Sequence, residues 1–188
     1  MSDNVLTIPG LWNSGPLHWQ THWEKTHPSW TRVQQRDFDR PDRDEWVATL
    51  DDAVRSQPAP PILAAHSLGC SLVAQWAKDR GGRGVAGAFL VAPSDVEAPD
   101  YPIEGRSFSS MPLVRLPFPS IVVASTDDQY VSLARAEEFA RAWGSELRVI
   151  GAAGHINGAS GYGPWPEGAA MLPALTRAWQ SKRAAGNV

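Results

Sequence analysis

Ser67 stands in the stretch "AAHSLGCSL" (64–72), with Ala65 two positions before it and Gly69 two positions after. An apolar run, "PPILAA", leads in and a helical pattern, "GCSLVAQWAKD", leads out. A serine at such a strand-to-helix turn can be a nucleophile, because the tight bend exposes its hydroxyl and needs small neighbours where strand and helix approach. The bend also aims the Leu68 amide at the start of the helix, where free N–H groups and the dipole favour a developing oxyanion. A serine hydroxyl is unreactive at neutral pH unless a base takes its proton and an acid orients that base. His155, in "VIGAAGHINGASG", is the candidate base. Asp127 and Asp128, adjacent in "SIVVASTDDQYVS", both qualify as the acid, and spacing does not separate them. The competing reading makes Ser67 a packing residue and His155 a lining of a glycine-rich loop. Against it stands the order Ser, Asp, His, each just past an apolar run.

For three such residues to meet, each must lie at the carboxyl end of a strand in one parallel sheet, where ligand sites gather. Short apolar runs at 5–8, 32–36, 62–65, 87–92, 120–125 and 147–150 alternate with helical patterns. That alternation predicts an α/β fold with a mostly parallel six-stranded sheet and helices on both faces. In the first connection Ser14 or Gly15 can cap a helix, Pro16 suits its first turn, and Trp19 and Trp23 share a face. In the next, Asp42 and Glu45 have capping-box spacing ahead of the stripe Trp46, Val47, Leu50 and Val54. Further helices are expected from Gly69 to about Lys78, over Leu133–Trp143 before Gly144, and around Leu172, Leu175 and Trp179, where Pro173 obscures the start. Residues 93–117 carry five prolines and no periodicity, so they are expected to cover a pocket. Tyr101, Phe108 and Met111 from this segment, with Trp12 and Trp165, are candidates for an apolar acyl pocket.

The chain has 188 residues, 43% of them apolar and 20% charged, which fits a single domain over 1–188 with its own core. A net charge of −3 with scattered Lys and Arg argues against nucleic acid. The opening "MSDNVLTIPG" lacks a basic and apolar leader, and no run of about 18 apolar residues occurs, so a soluble cytoplasmic protein with no membrane partner is expected. Cys70 is the single cysteine. It excludes an internal disulfide or a multi-cysteine metal site and suits a small buried hydrophobe. His18 and His22 are four apart, but zinc needs a third or fourth ligand with a defined role and His27 falls before Pro28, so no metal is expected.

Five segments, "PGLWNSGPLHWQTHWE" (9–24), "AHSLGCSL" (65–72), "LPFPSIVVASTDDQY" (116–130), "AWGSEL" (142–147) and "GHINGASGYGPWPEG" (154–168), together resemble the small serine α/β-hydrolases similar to the bacterial YdeN and to retinoblastoma-binding protein 9. The resemblance implies a compact α/β-hydrolase core with strand order 2-1-3-4-5-6 and little or no lid. It implies a triad of Ser67, Asp128 and His155, choosing the second aspartate. Proline often follows that aspartate in the family; here Gln129 does. It also implies that the loop after the first strand, matched by "PGLW", supplies a second oxyanion donor, the Leu11 N–H, beside that of Leu68.

The expected activity is hydrolysis of small carboxylic esters through an acyl-enzyme, without a cofactor, by a monomer or small homo-oligomer. Thioesters, amides or peptides are alternatives, because one triad serves any acyl group. A protein-binding role with vestigial activity is a further alternative. The recognition pattern Leu-x-Cys-x-Glu is absent around Cys70, which weighs against it.

Overall fold

Strands form where short runs of branched and small apolar residues can be buried on both faces of a sheet. The computed structural model describes residues 4–186, and part of the no-leader expectation falls on residues 1–3, outside that range. The strands are β1 (Val5–Ile8), β2 (Trp30–Arg32), β3 (Ile62–His66), β4 (Gly87–Val91), β5 (Ser120–Ala124) and β6 (Glu146–Val149). They pair in the order β2-β1-β3-β4-β5-β6, all parallel, as the resemblance implies. The reversal of direction in that order lies between β1 and β3, so the loops leaving these two strands flank one crevice.

The helices are α1 (Trp19–Thr26), α2 (Arg43–Arg55), α3 (Leu68–Arg80), α4 (Leu133–Trp143), α5 (Pro166–Ala169) and α6 (Leu172–Ala184). Because strand side chains alternate, Leu6, Leu63, Leu90 and Val122 join one core with Trp46, Trp76 and Phe139 of α2, α3 and α4. Val5, Ile62, Phe89 and Ile121 join a second core with Trp19 and Trp23 of α1 and Leu172 and Leu175 of α6.

Several boundaries differ from the sequence reading. β2 occupies 30–32 rather than 32–36: Trp30 is its buried anchor, and the polar "QQR" leaves the sheet, with Gln35 turning in to donate to the Trp46 carbonyl. α1 begins at Trp19, and its cap is His18, whose Nδ1 accepts the Gln20 N–H, not Ser14 or Gly15. At α2 the Asp42 carboxylate accepts the N–H groups of Asp44 and Glu45, whereas Glu45 pairs with Arg36 instead of closing a capping box. Pro173 is tolerated because it falls in the first turn of α6, where a missing N–H costs nothing. No described helix is long and apolar enough to cross a membrane.

Candidate active site

β3 delivers Ser67 into a backbone conformation that side chains avoid, φ 55° and ψ −124°. Such strain of about 1–3 kcal/mol persists only where surroundings enforce it, and here two glycines allow the enforcing contacts. A Cβ on Gly69 would stand 2.4 Å from the Ile8 carbonyl oxygen, and one on Gly10 would stand 2.8 Å from the Ser67 Cβ and 2.9 Å from the Leu68 nitrogen. The β1 loop and the first turn of α3 therefore meet backbone to backbone. Leu68 is the first residue of α3, so its N–H belongs to the turn that has no partner inside the helix. Ala65 is fully buried beneath the bend, and Cys70 lies inside α3 with its thiol on the Val91 carbonyl, where burial pushes its pKa well up.

The loops after β5 and β6 bring the other groups to the same rim. Ser67 Oγ lies 2.9 Å from His155 Nε2, and His155 Nδ1 lies 2.8 and 2.9 Å from the two oxygens of Asp128. An acceptor-only carboxylate on Nδ1 puts the ring proton there, leaving Nε2 free to accept from the Ser67 hydroxyl. The Asp128 side chain is fully buried, and its Oδ1 also accepts the Tyr130 N–H at 2.8 Å. Asp127 turns elsewhere. Its Oδ1 accepts from the Ser125 hydroxyl and from the N–H groups of Ala153 and Gly154 at 2.7, 2.8 and 2.7 Å, which ties the β5 loop to the loop carrying His155. The Ser125 hydroxyl and those amides hold its carboxyl below the usual aspartate range.

Two further histidines extend in a row from His155. The His66 ring lies 4.7 Å from that of His155 and the His18 ring 4.6 Å from that of His66. His66 Nε2–H donates to the His155 carbonyl at 2.8 Å and so holds the backbone of that residue. Burial, and the neighbouring His18 and His155, keep His66 well below the ordinary histidine range. Burial, with Arg32 and His155 nearby, lowers His18 to about 3. Both rings are therefore neutral near pH 7 and do not repel a positive charge on His155.

A serine hydrolase family profile matches residues 5–174. The chain belongs to that family. It is similar to a YdeN-like hydrolase of Pectobacterium atrosepticum, with 34% identity over 94% of this chain and 91% of that one and a TM-score of 0.83. The YdeN product of B. subtilis (19% identity, 92% and 97% covered, TM-score 0.75) and a monoacylglycerol lipase of Paleococcus ferrophilus (11%, 92% and 93%, 0.67) share the fold. No curated protein matches by sequence.

In this serine hydrolase a cavity of about 160 Å3 opens over Ser67 and His155. Leu11, Trp12 and Tyr101 line it, as do His18, Asn13, Asn157 and Tyr130, which had not been assigned to a pocket. Phe108, Met111 and Trp165 do not. Phe108 is fully buried with its ring 5.5 Å from Trp46, and Met111 lies in the same core. Gln75 donates to the carbonyls of Phe108 and Ser110, which draws this part of the 93–117 segment onto α3 and away from the cavity. Trp165 stacks on Trp23 at 6.0 Å on the opposite side of the sheet, seated over Gly168 where a Cβ would meet the indole at 2.5 Å. Of the aperiodic segment, Tyr101 and Pro102 reach the cavity. Among the described residues no group of three or more His, Cys, Asp or Glu is placed to hold a metal ion, and the His27 ring stacks on Trp30 at 3.9 Å.

Proposed function

We propose that this serine hydrolase cleaves small carboxylic esters, with Ser67 as nucleophile, His155 as general base and then acid, and Asp128 as the orienting acid. The observation that carries this reading is the continuous path from Asp128 through His155 to Ser67, every link under 3.0 Å, ending in a cavity. Ser67 Oγ attacks the ester carbonyl as its proton passes to His155 Nε2, and Asp128 stabilises the resulting imidazolium. The negative oxygen of the tetrahedral intermediate is held by the N–H groups of Leu68 and Leu11; losing one such donor typically costs about 10²–10³ in rate. His155 returns the proton to the departing alkoxide. Water, activated by the same imidazole, then releases the acid and restores the serine.

The cavity supports esters over coenzyme thioesters, because none of its described lining residues is Lys or Arg to meet the coenzyme's phosphates. The test is turnover of short-chain p-nitrophenyl esters together with labelling by a fluorophosphonate probe. Ser67→Ala is expected to lose the label and to reduce kcat/KM by about 10⁴-fold or more while remaining folded. Labelling that persists in this variant would overturn the assignment.

A further inference from the structure

The polar lining of the cavity is one-sided. Asn13 Oδ1 accepts the Ser14 N–H at 2.8 Å and Arg32 Nη1 at 2.9 Å, and Asn157 Oδ1 accepts the Ser160 N–H at 3.0 Å and hydroxyl at 3.1 Å. With both oxygens committed, each amide keeps its NH2 as the end with donors to offer. His18 is more constrained. Its Nδ1 accepts the Gln20 N–H at 3.2 Å, so a neutral ring carries its proton on Nε2, and that nitrogen is buried without a partner. Nearly all buried donors in proteins are paired, so an unpaired one on a residue that lines a cavity is a candidate partner for an acceptor bound there.

The acceptor should be uncharged. None of the described residues lining the cavity is Lys, Arg, Asp or Glu, and His18, lowered to about 3 by burial, supplies no positive charge. A small ligand buries little surface and gains selectivity chiefly from well-placed hydrogen bonds.

We propose that the preferred ester carries a second, uncharged oxygen within a few bonds of the scissile carbonyl, as in short alkoxy- or hydroxy-substituted esters, and that His18 Nε2–H, with the amide NH2 of Asn157, donates to it. This rests on the esterase reading above. His18 then selects the substrate and takes no part in the bond changes: its ring is one ring removed from the base, with His66 between.

The test compares two isosteric pairs, ethyl methoxyacetate against ethyl butyrate and 2-methoxyethyl acetate against butyl acetate. In the first the extra oxygen lies on the acyl side, in the second on the alcohol side. The ratio of kcat/KM within the responding pair is expected to fall about tenfold in His18→Phe and to recover in His18→Gln, whose amide NH2 replaces the ring N–H. Asn157→Asp, which keeps the oxygen facing Ser160 and replaces the donor, should lower the same ratio. Monoethyl malonate, the charged counterpart, should be a poorer substrate than ethyl methoxyacetate, and the reverse order would overturn the uncharged assignment. Equal losses on all four esters, or no change in either ratio for both the His18→Phe and Asn157→Asp proteins, would also overturn the inference. The same ratios are measured as dissociation constants in Ser67→Ala, where ligands bind without being cleaved. If the wild-type protein cleaves none of the esters, the esterase reading fails, and these constants still decide the role of His18; no preference for either oxygenated ester there would refute it.

Discussion

Asp127 and Asp128 share a residue type and a loop, yet their carboxylates face different partners. Asp128 meets the His155 ring, whereas Asp127 gathers the Ser125 hydroxyl and two amides of the His155 loop. Asp128→Asn is therefore expected to favour the wrong imidazole tautomer and to lower kcat/KM by about 10⁴-fold. Asp127→Asn keeps an oxygen for the loop amides and should lose far less. Ester kinetics on the two variants check this, and a reversed ranking would transfer the acid role to Asp127. Spacing left the two aspartates equal because adjacent positions differ only in which way a turn points them. The meeting of Ser67 with His155 was legible because a strand-turn-helix pattern and strand ends locate side chains without tertiary detail. Phe108, Met111 and Trp165 were misplaced for the opposite reason: an apolar residue in an aperiodic stretch looks the same whether it faces a core or a cavity. His18 and His66 carry no such signal, because only tertiary packing sets their rings in a row with His155.

Among the elements, the β3–α3 turn depends on the close passage of the β1 loop. A methyl at position 69 would meet the Ile8 carbonyl, part of a sheet strand that cannot yield as a flexible side chain would. Gly69→Ala is expected to destabilise the protein by about 1–3 kcal/mol and to lower turnover by shifting the elbow. Urea unfolding and ester kinetics measure both effects, and unchanged values would show that the two loops can separate freely. The central strands β3, β4 and β5 and the helix α4 matched their sequence patterns because burial on both faces, or a single apolar stripe with a terminal glycine, leaves few alternatives. β2 and the start of α1 did not. β2 is a three-residue edge strand, and α1 is capped by an imidazole nitrogen where hydroxyl or carboxylate side chains are the usual signal.

For the molecule as a whole, two neutral buried imidazoles make stability depend on pH. His18 and His66 titrate lower in the folded chain than in the unfolded one, whose reference is 6.5, so below that pH the unfolded state binds more protons. Their contribution is thus complete above about pH 6.5 and is lost as pH falls, down to about 3 for His18. Each histidine adds a slope of about 1.4 kcal/mol per pH unit well below its unfolded pKa. Urea denaturation at pH 7, 6 and 5 should show a falling midpoint, and His18→Gln should remove roughly half of the slope. Identical slopes in the two proteins would show that His18 becomes charged without unfolding. The seam at Gly10 and Gly69 has a further consequence. If the carbonyl is gripped by main-chain hydrogens fixed across that seam, the side chains around the cavity can be exchanged one by one, recutting the choice of ester while the grip itself is inherited intact.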